Sequence, residues 1–355
     1  MGAGNAPEDD IVSVHFNPYH RIVQWVVALV VGIAVALSVA SWFGHQRLWW
    51  LELVRYVPYP VHIVAALGAL GLSMLFLGRL WRFAALLALV LVVTVVMGLA
   101  MGRGDEGARR VRMMTYNVKS YLAVAHTDGY SRIAWEILQA DPDIIVMQDA
   151  GRLIGANGEL AAPVRAALQK RNVYTYGQYI VASRDPLRDC RPGDIAFRGM
   201  PHSYVRCTVV ASGVELDVVT AHFLSPRDGL NATRRLGRLD EWEQNFADRL
   251  AQADKLANDI AAAHQRPMIV AGDLNAPEGS PIVGTLLDTG LRDAFSSAGF
   301  GYGYTHGHAL RLGFSFLRID HILVGPAIGV GNCFVGGKEG SEHRPVIADL
   351  FLQRP

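Results

Sequence analysis

Asn117, Asp149, His222 and Asp273 each stand directly after a run of apolar residues, in the stretches VRMMTYN, DIIVMQD, LDVVTAH and PMIVAGD. A short apolar run of this kind reads as a buried strand. Strand ends on one edge of a sheet converge, and that edge is where α/β-type sites are built. One carboxylate after a strand is ordinary, since Asp and Asn form turns. Four Asn, Asp and His residues in that position are not. Asn275 follows two residues after Asp273, Asp320 opens the run DHILV, and Glu342-His343 precede the last apolar run. Carboxylate and amide oxygens bind hard cations, and carboxylates and imidazoles move protons.

The elements that must position these groups follow from the same pattern. Strands are predicted over residues 111–117, 143–148, 179–183, 204–210, 216–221, 267–272, 318–324 and 345–352. Amphipathic helices are predicted over 131–139 and 234–264. Many strands with few intervening helices imply two packed sheets with helices outside. No nucleophile elbow, Walker loop or H-E-x-x-H stretch occurs in the sequence, so serine-hydrolase, NTPase and zincin chemistries have no support.

In order along the chain, TYN (115–117), QD (148–149), TAH (220–222), GDLN (272–275), RIDHIL (318–323) and SEHRPV (341–346) resemble the motifs of the endonuclease/exonuclease/phosphatase superfamily. The resemblance covers about residues 111–353. It implies a four-layer α/β/β/α sandwich and a Mg²⁺-dependent phosphohydrolase, with Mn²⁺ as an alternative ion. Asp149 and Glu342 become the expected metal ligands, supported by Asn117. Asp273 would orient or deprotonate the attacking water, and Asn275 and His222 would donate to the phosphate. His343, paired with Asp320, would contact the phosphoryl group or handle a proton, its pKa raised by that carboxylate. Arg227 and Arg234 are candidate grips for a second phosphate, and His306, in a Gly- and Tyr-rich loop, is a candidate substrate contact. Two positions depart from the superfamily pattern, which usually has Gln-Glu at 148–149 and Ser-Asp-His at 341–343. The two changes are reciprocal: one ligand loses a methylene and the other gains it.

Ahead of this region lie three apolar stretches, at about residues 22–43, 61–77 and 83–101. About 20 apolar residues cross the hydrocarbon core, and a signal peptide has one short apolar core rather than three long ones. The expected organisation is a tail over 1–20, a three-helix anchor over 21–101, a linker over 102–110 and a catalytic domain over 111–355. The loop from residue 45 to 59, with Trp49, Trp50, Tyr56, Arg47 and Arg55, reads as an amphipathic stretch in the headgroup layer. With three spans, Arg21, Arg79 and Arg82 fall on one side. Arg47, Arg55, Arg103, Arg109, Arg110 and Arg112 fall on the other, which by count makes the catalytic side cytoplasmic. The architecture resembles VanJ-like membrane proteins linked to teicoplanin resistance, whose domain faces outward toward lipid-linked cell-wall intermediates. That resemblance sets the expectation of an extracytoplasmic domain acting on a lipid-linked phosphate such as undecaprenyl pyrophosphate.

From Arg109 onward 27 Lys and Arg face 26 Asp and Glu, and the whole chain carries +1. Nucleic-acid binding normally needs a clustered basic surface, so no nucleic-acid partner is expected. A membrane-bound nuclease or phospholipid phosphodiesterase is the second reading, and a non-catalytic module that kept the fold is the third. Intact Asp273, Asn275, Asp320 and His343 argue against the last. The cysteines are Cys190, Cys207 and Cys333, with no C-x-x-C pair. Cys190 and Cys207 could bridge in an oxidising compartment or stay as free thiols.

Overall fold

The computed structural model describes residues 18–42, 47–211, 213–262 and 266–352, so the tail expected over 1–20 lies outside them as far as residue 17. The chain divides into two compact units: Met1–Ser38 with Pro60–Val96, and Val39–Tyr59 with Met97–Pro355.

The first unit is helical. Helical stretches Tyr19–Ser41, Tyr59–Phe76 and Arg79–Val96, of 23, 18 and 18 residues, are long and apolar enough to cross a membrane. They meet around Val27, Ala69, Leu77 and Ala85. Small buried residues on the middle helix, Ala66, Ala69 and Ser73, allow close approach. Leu29, Val64, Leu75 and Phe83 point outward, as a hydrocarbon solvent requires. In the tight turn, Arg82 donates to the carbonyls of Met74 (3.0 Å) and Leu77 (3.1 Å), satisfying the end of the preceding helix. The third helix closes in a π-turn over Val92–Val96. It stops short of residue 101, because Gly98 takes a left-handed φ of 70° that ends helices. Ala100–Met101 instead pairs as a strand with Phe300–Gly301.

The second unit holds two six-stranded mixed sheets. One runs, edge to edge, Ile328–Val335, Val346–Leu352, Arg110–Asn117, Ile144–Gln148, Tyr179–Ser183 and Asn172–Tyr176. The other runs Arg292–Asp293, Asp320–Val324, Met268–Asp273, Val214–His222, Ser203–Ala211 and Leu187–Asp194. Alternation along each strand assigns the layers. Met113, Ile144, Val146 and Val181 of the first sheet meet Val205, Val218, Ile269 and Ile322 of the second in one core. The intervening residues face out. Met114, Tyr116 and Ile145 pack against Ile133 and Ile137 of helix Gly129–Ala140. Val219, Val270 and Leu323 pack against Phe246, Leu250 and Leu256 of helix Leu239–Ala261. The result is the expected α/β/β/α sandwich. Within the second sheet Cys190 and Cys207 are disulfide-bonded, tying its edge strand to the next, and Cys333 is buried and free.

Two segments expected at its margins belong to this unit. The expected linker is docked: Gly102 N donates to Gly299 O (2.9 Å), Asp105 N to Val330 O (2.6 Å), and Asp105 accepts from Val330 N (2.9 Å). A Cβ on Gly104 would fall 1.8 Å from Gly331 O, so only glycine fits there. The loop between the first two apolar helices, expected in the headgroup layer, forms helix Trp49–Arg55, which buries Leu51 and Glu52, with Tyr56 buried just beyond it. Its Trp49 carbonyl accepts from Trp242 Nε1 at 2.8 Å. Protein partners take up the polar atoms that an interfacial helix would offer to water.

Candidate active site

Strand parity gathers the site. Met113 and Thr115 face between the sheets, so Asn117 does as well. Val218 and Thr220 carry His222 to the same face, Ile269 and Ala271 carry Asp273, and Val324 and Ile322 carry Asp320. His222 lies opposite Asp273 in one pairing and Asp273 opposite Asp320 in the next. The three therefore stand in a row across adjacent strands, about 4.8 Å apart. Beneath them a polar floor replaces the apolar core: Gln148 Nε2 donates to Thr115 Oγ1 (3.1 Å) and, across the sheets, to Thr220 Oγ1 (2.8 Å).

Asp273 is the hub. Its Oδ2 accepts from Asn117 Nδ2 (2.8 Å) and its Oδ1 from the Asn275 amide N–H (2.9 Å). His222 Nε2 lies 3.6 Å and His343 Nε2 3.8 Å from Oδ2. Burial, reinforced by neighbouring Asp320, raises the pKa of Asp273. His343 Nδ1 and Asp320 Oδ2 share a proton across 2.8 Å. Here one expectation is corrected. The carboxylate does not lift the imidazole: burial dominates, pushing His343 down to about 4 and Asp320 up to about 7, so the His343 ring is neutral. Its Nε2 is turned to Asp273.

His222 Nδ1 donates to Gln178 Oε1 (2.7 Å) and lies 3.6 Å from Asp149 Oδ1. Asp149 and Asn275 both adopt left-handed φ, 53° and 47°; Asp and Asn tolerate this best, and such strain clusters at functional sites. The Asn275 side chain donates to Phe223 O at 2.9 Å, so one of its amide hydrogens already has a protein partner. Ser341 Oγ donates to Asn117 O (2.8 Å), pinning the last motif to the first strand. His306 packs against His343 with ring centroids 4.6 Å apart and the planes tilted by 41°. Of the two arginines, Arg227 reaches Glu342 (3.7 Å), whereas Arg234 turns to Asn231 on its own helix (3.4 Å).

The donor set fits a hard cation. Glu342 Oε2 and Asp320 Oδ1 are buried without a hydrogen-bond partner, which leaves lone pairs for an ion. Among the described residues, Asp273, Asp320 and His343 offer ligand atoms within 4.8 Å of one another; the expected ligands Asp149 and Glu342 are not part of that group. Asn117 Oδ1 accepts only from Lys119 N (3.1 Å), so one lone pair remains.

Sequence reasoning did not single out Gln178, Tyr179 or His202. They orient His222: Tyr179 Oη accepts from its N–H (3.1 Å) and His202 Nε2 lies 2.6 Å from its carbonyl. Gln178 and Tyr179 open a strand just after the Gly177 turn, a position with no polar periodicity to mark it. Nor were Arg318 and His321 of the RIDHIL stretch given a role. Both are buried on Asp293: Arg318 Nη1 lies 2.9 Å from each of its oxygens, and His321 Nδ1 lies 2.9 Å from Oδ2.

Comparisons with known proteins bear on the fold and the family. Solved structures share the fold at low identity. An endonuclease/exonuclease/phosphatase family protein of Bacteroides thetaiotaomicron has 17% identity and a TM-score of 0.52, covering 70% of this chain and all of that one. A mannosyl-6-phosphatase of the same species has 17% and 0.51, covering 68% and 100%. The human Nocturnin catalytic domain, with bound sulfate, has 15% and 0.51, covering 70% and 96%. No functionally curated protein matches by sequence. The model of the Endonuclease/Exonuclease/phosphatase family matches residues 114–343, from the first strand of the site to His343, and the chain belongs to that family.

Proposed function

We propose that the protein is a membrane-anchored, Mg²⁺-dependent phosphohydrolase acting on a lipid-linked phosphate or pyrophosphate, such as undecaprenyl pyrophosphate. The family establishes phosphoester chemistry in outline; the lipid substrate is inferred from the anchor. A domain held at a membrane meets lipid headgroups at high effective concentration. The observation that carries the reading is that one chain holds both the catalytic unit and three helices long and apolar enough to cross a membrane. Tyr59, where the second apolar helix begins, stacks on Tyr304 (5.2 Å), and Tyr304 Oη donates to the carbonyl of Met97, just past the third (2.9 Å). Two residues further on, His306 lies against His343.

In this reading Asn117, Asp149 and Glu342 would hold the ion, which would supply charge neutralisation on the phosphoryl oxygens. Asp273, held by Asn117 and the Asn275 amide, takes a proton from the attacking water. The neutral His343 presents Nε2 to the phosphoryl group, its Nδ1 tied to Asp320. Arg227 balances charge at the rim. The catalytic unit lies outside the cytoplasm, in keeping with the Cys190–Cys207 disulfide. Several arginines that favoured the opposite topology are engaged inside the folded unit, Arg47 with Asp254, Arg55 with Glu52 and Arg112 with Asp349. They are therefore poor reporters of orientation.

A phosphate-release screen on the purified full-length protein, with Mg²⁺ and with chelator, against undecaprenyl pyrophosphate, phospholipids and DNA tests the proposal. Mg²⁺-dependent release from the polyprenyl diphosphate is expected; turnover confined to DNA would establish the nuclease reading instead.

A further inference from the structure

The residues behind Asn275 come from the far end of the chain. Its carbonyl accepts two hydrogen bonds, from Tyr56 Oη (2.5 Å) and Arg249 Nη1 (2.9 Å), and Arg249 Nη1 also donates to Tyr56 Oη (2.6 Å). Arg249 and Glu52 are both fully buried, and their side chains lie 3.5 Å apart. Glu52 Oε1 also accepts from Ser280 Oγ (2.9 Å). Asn245 accepts from Arg249 Nε (3.0 Å), and the guanidinium lies beside both the Tyr56 ring (5.4 Å) and the Trp242 ring (5.3 Å). Glu52 and Tyr56 belong to the segment joining the first two apolar helices. The backbone they hold is the left-handed one that sets the direction of the Asn275 side chain.

We infer that this joining segment is a positioning element of the active site: Tyr56 and Arg249, locked by Glu52, clamp the Asn275 carbonyl and so hold the Asp273–Asn275 turn in its working conformation. The physical case rests on over-determination. A strained residue persists only where its surroundings fix it. Here the peptide N–H is held by Asp273, the side chain by Phe223, and the carbonyl by the clamp. Only the clamp comes from outside the strand layers and their loops. Tyr56 and Arg249 are thus positioning residues, acting through Asn275. The inference deepens the proposed function, since it takes Asn275 as part of the reacting site.

The test uses the full-length protein in nanodiscs. Tyr56→Phe keeps the ring against Trp242 and removes only the hydroxyl. Hydrogen exchange read by mass spectrometry over residues 272–277 should quicken by about two- to tenfold, the range expected for one net hydrogen bond. Thermal unfolding should stay within a few degrees of wild type. Phosphate release from undecaprenyl pyrophosphate should lose kcat by a similar factor with KM unchanged. Arg47→Ala, which breaks only the solvent-exposed pair with Asp254, should leave both readouts as in wild type. Wild-type exchange over 272–277 in Tyr56→Phe, or a kcat loss no larger than that of Arg47→Ala, would overturn the inference. Should wild type release no phosphate from this lipid, the proposed substrate falls, while the exchange measurement still decides whether the clamp exists.

Discussion

Replacing Asp293 with Asn removes one negative charge from the buried group formed with Arg318 and His321, and turns one acceptor oxygen into an NH2 donor beside Arg318 Nη1. Asp293 caps the helix Ala294–Ala298 by accepting from Ser296 N at 2.9 Å, and Asn caps as well as Asp. The cost is therefore the lost charge pair together with one donor–donor contact. Breaking a fully buried ion pair costs about 3–5 kcal/mol, because the partner is left charged and desolvated. Arg318 keeps a second carboxylate, Glu278, whose side chain is 37% exposed and so only partly compensates. That places the loss near the lower end, about 3 kcal/mol. For a domain of this size about 2–4 °C of Tm is lost per kcal/mol, giving a drop of roughly 6–12 °C. The pH dependence has a definite sign. The Arg318 and His321 partners outweigh burial and hold Asp293 far below the usual carboxylate range. Its contribution is complete above the unfolded pKa of about 3.9 and fades as pH falls below it. Thermal melts of wild type and Asp293→Asn at pH 7, 5 and 3.5 should show a constant gap at the first two and a narrower one at the third. A Tm difference under 2 °C at pH 7, or a gap that stays the same at pH 3.5, refutes the assignment of the charge to this site.

Three further outcomes are expected. Asp273→Ala and His343→Ala should each lower kcat by about a hundredfold or more; a folded Asp273→Ala protein turning over at the wild-type rate would remove Asp273 from the chemistry. Glu106→Cys, chosen because a side chain at neighbouring Gly102 or Gly104 would strike backbone, should react with an impermeant thiol reagent on intact cells, and labelling only after lysis would invert the topology. Asp149→Glu and Glu342→Asp should each weaken Mg²⁺-dependent kcat/KM, with the double change recovering part of the loss as residues sharing an ion do. Recovery should be incomplete, because Glu tolerates the left-handed backbone of residue 149 less well than Asp; simple additivity would mean that the two carboxylates do not share an ion.

Much of the site was legible because it sits on strand ends. The apolar runs before Asn117, His222 and Asp273 are buried enough to betray both the strand and, by parity, the face on which each polar residue emerges. The Asp320–His343 pair was expected from the resemblance to the superfamily motifs rather than from the strand pattern. What stayed hidden was held by tertiary contacts that leave no period in the sequence. Gln178 reaches His222 from the mouth of another strand. Arg318 and His321 look like site residues because they flank Asp320, yet both are absorbed by Asp293. The neutral state of His343 depends on how deeply the ring is buried, which no neighbour in the sequence announces. The segment around Trp49 and Tyr56 reads as interfacial by composition, since Trp, Tyr and Arg suit a headgroup layer; the same residues suit a polar-edged groove beside Trp242 and Arg249 equally well.

Because residues 39–59 and 97–355 form one unit, the pair of apolar helices between them interrupts the catalytic fold rather than preceding it. That order has a consequence in time. Tyr56 leaves the ribosome 193 residues ahead of its partner Arg249, a delay of roughly 10–40 s at about 5–20 residues per second. Throughout that interval the Trp49–Tyr56 segment, with its acidic Glu52, has no groove to enter. The wall behind Asn275 therefore cannot form until Arg249 has been made, and the first sheet must wait longer still, for the strand Val346–Leu352 that pairs with Arg110–Asn117.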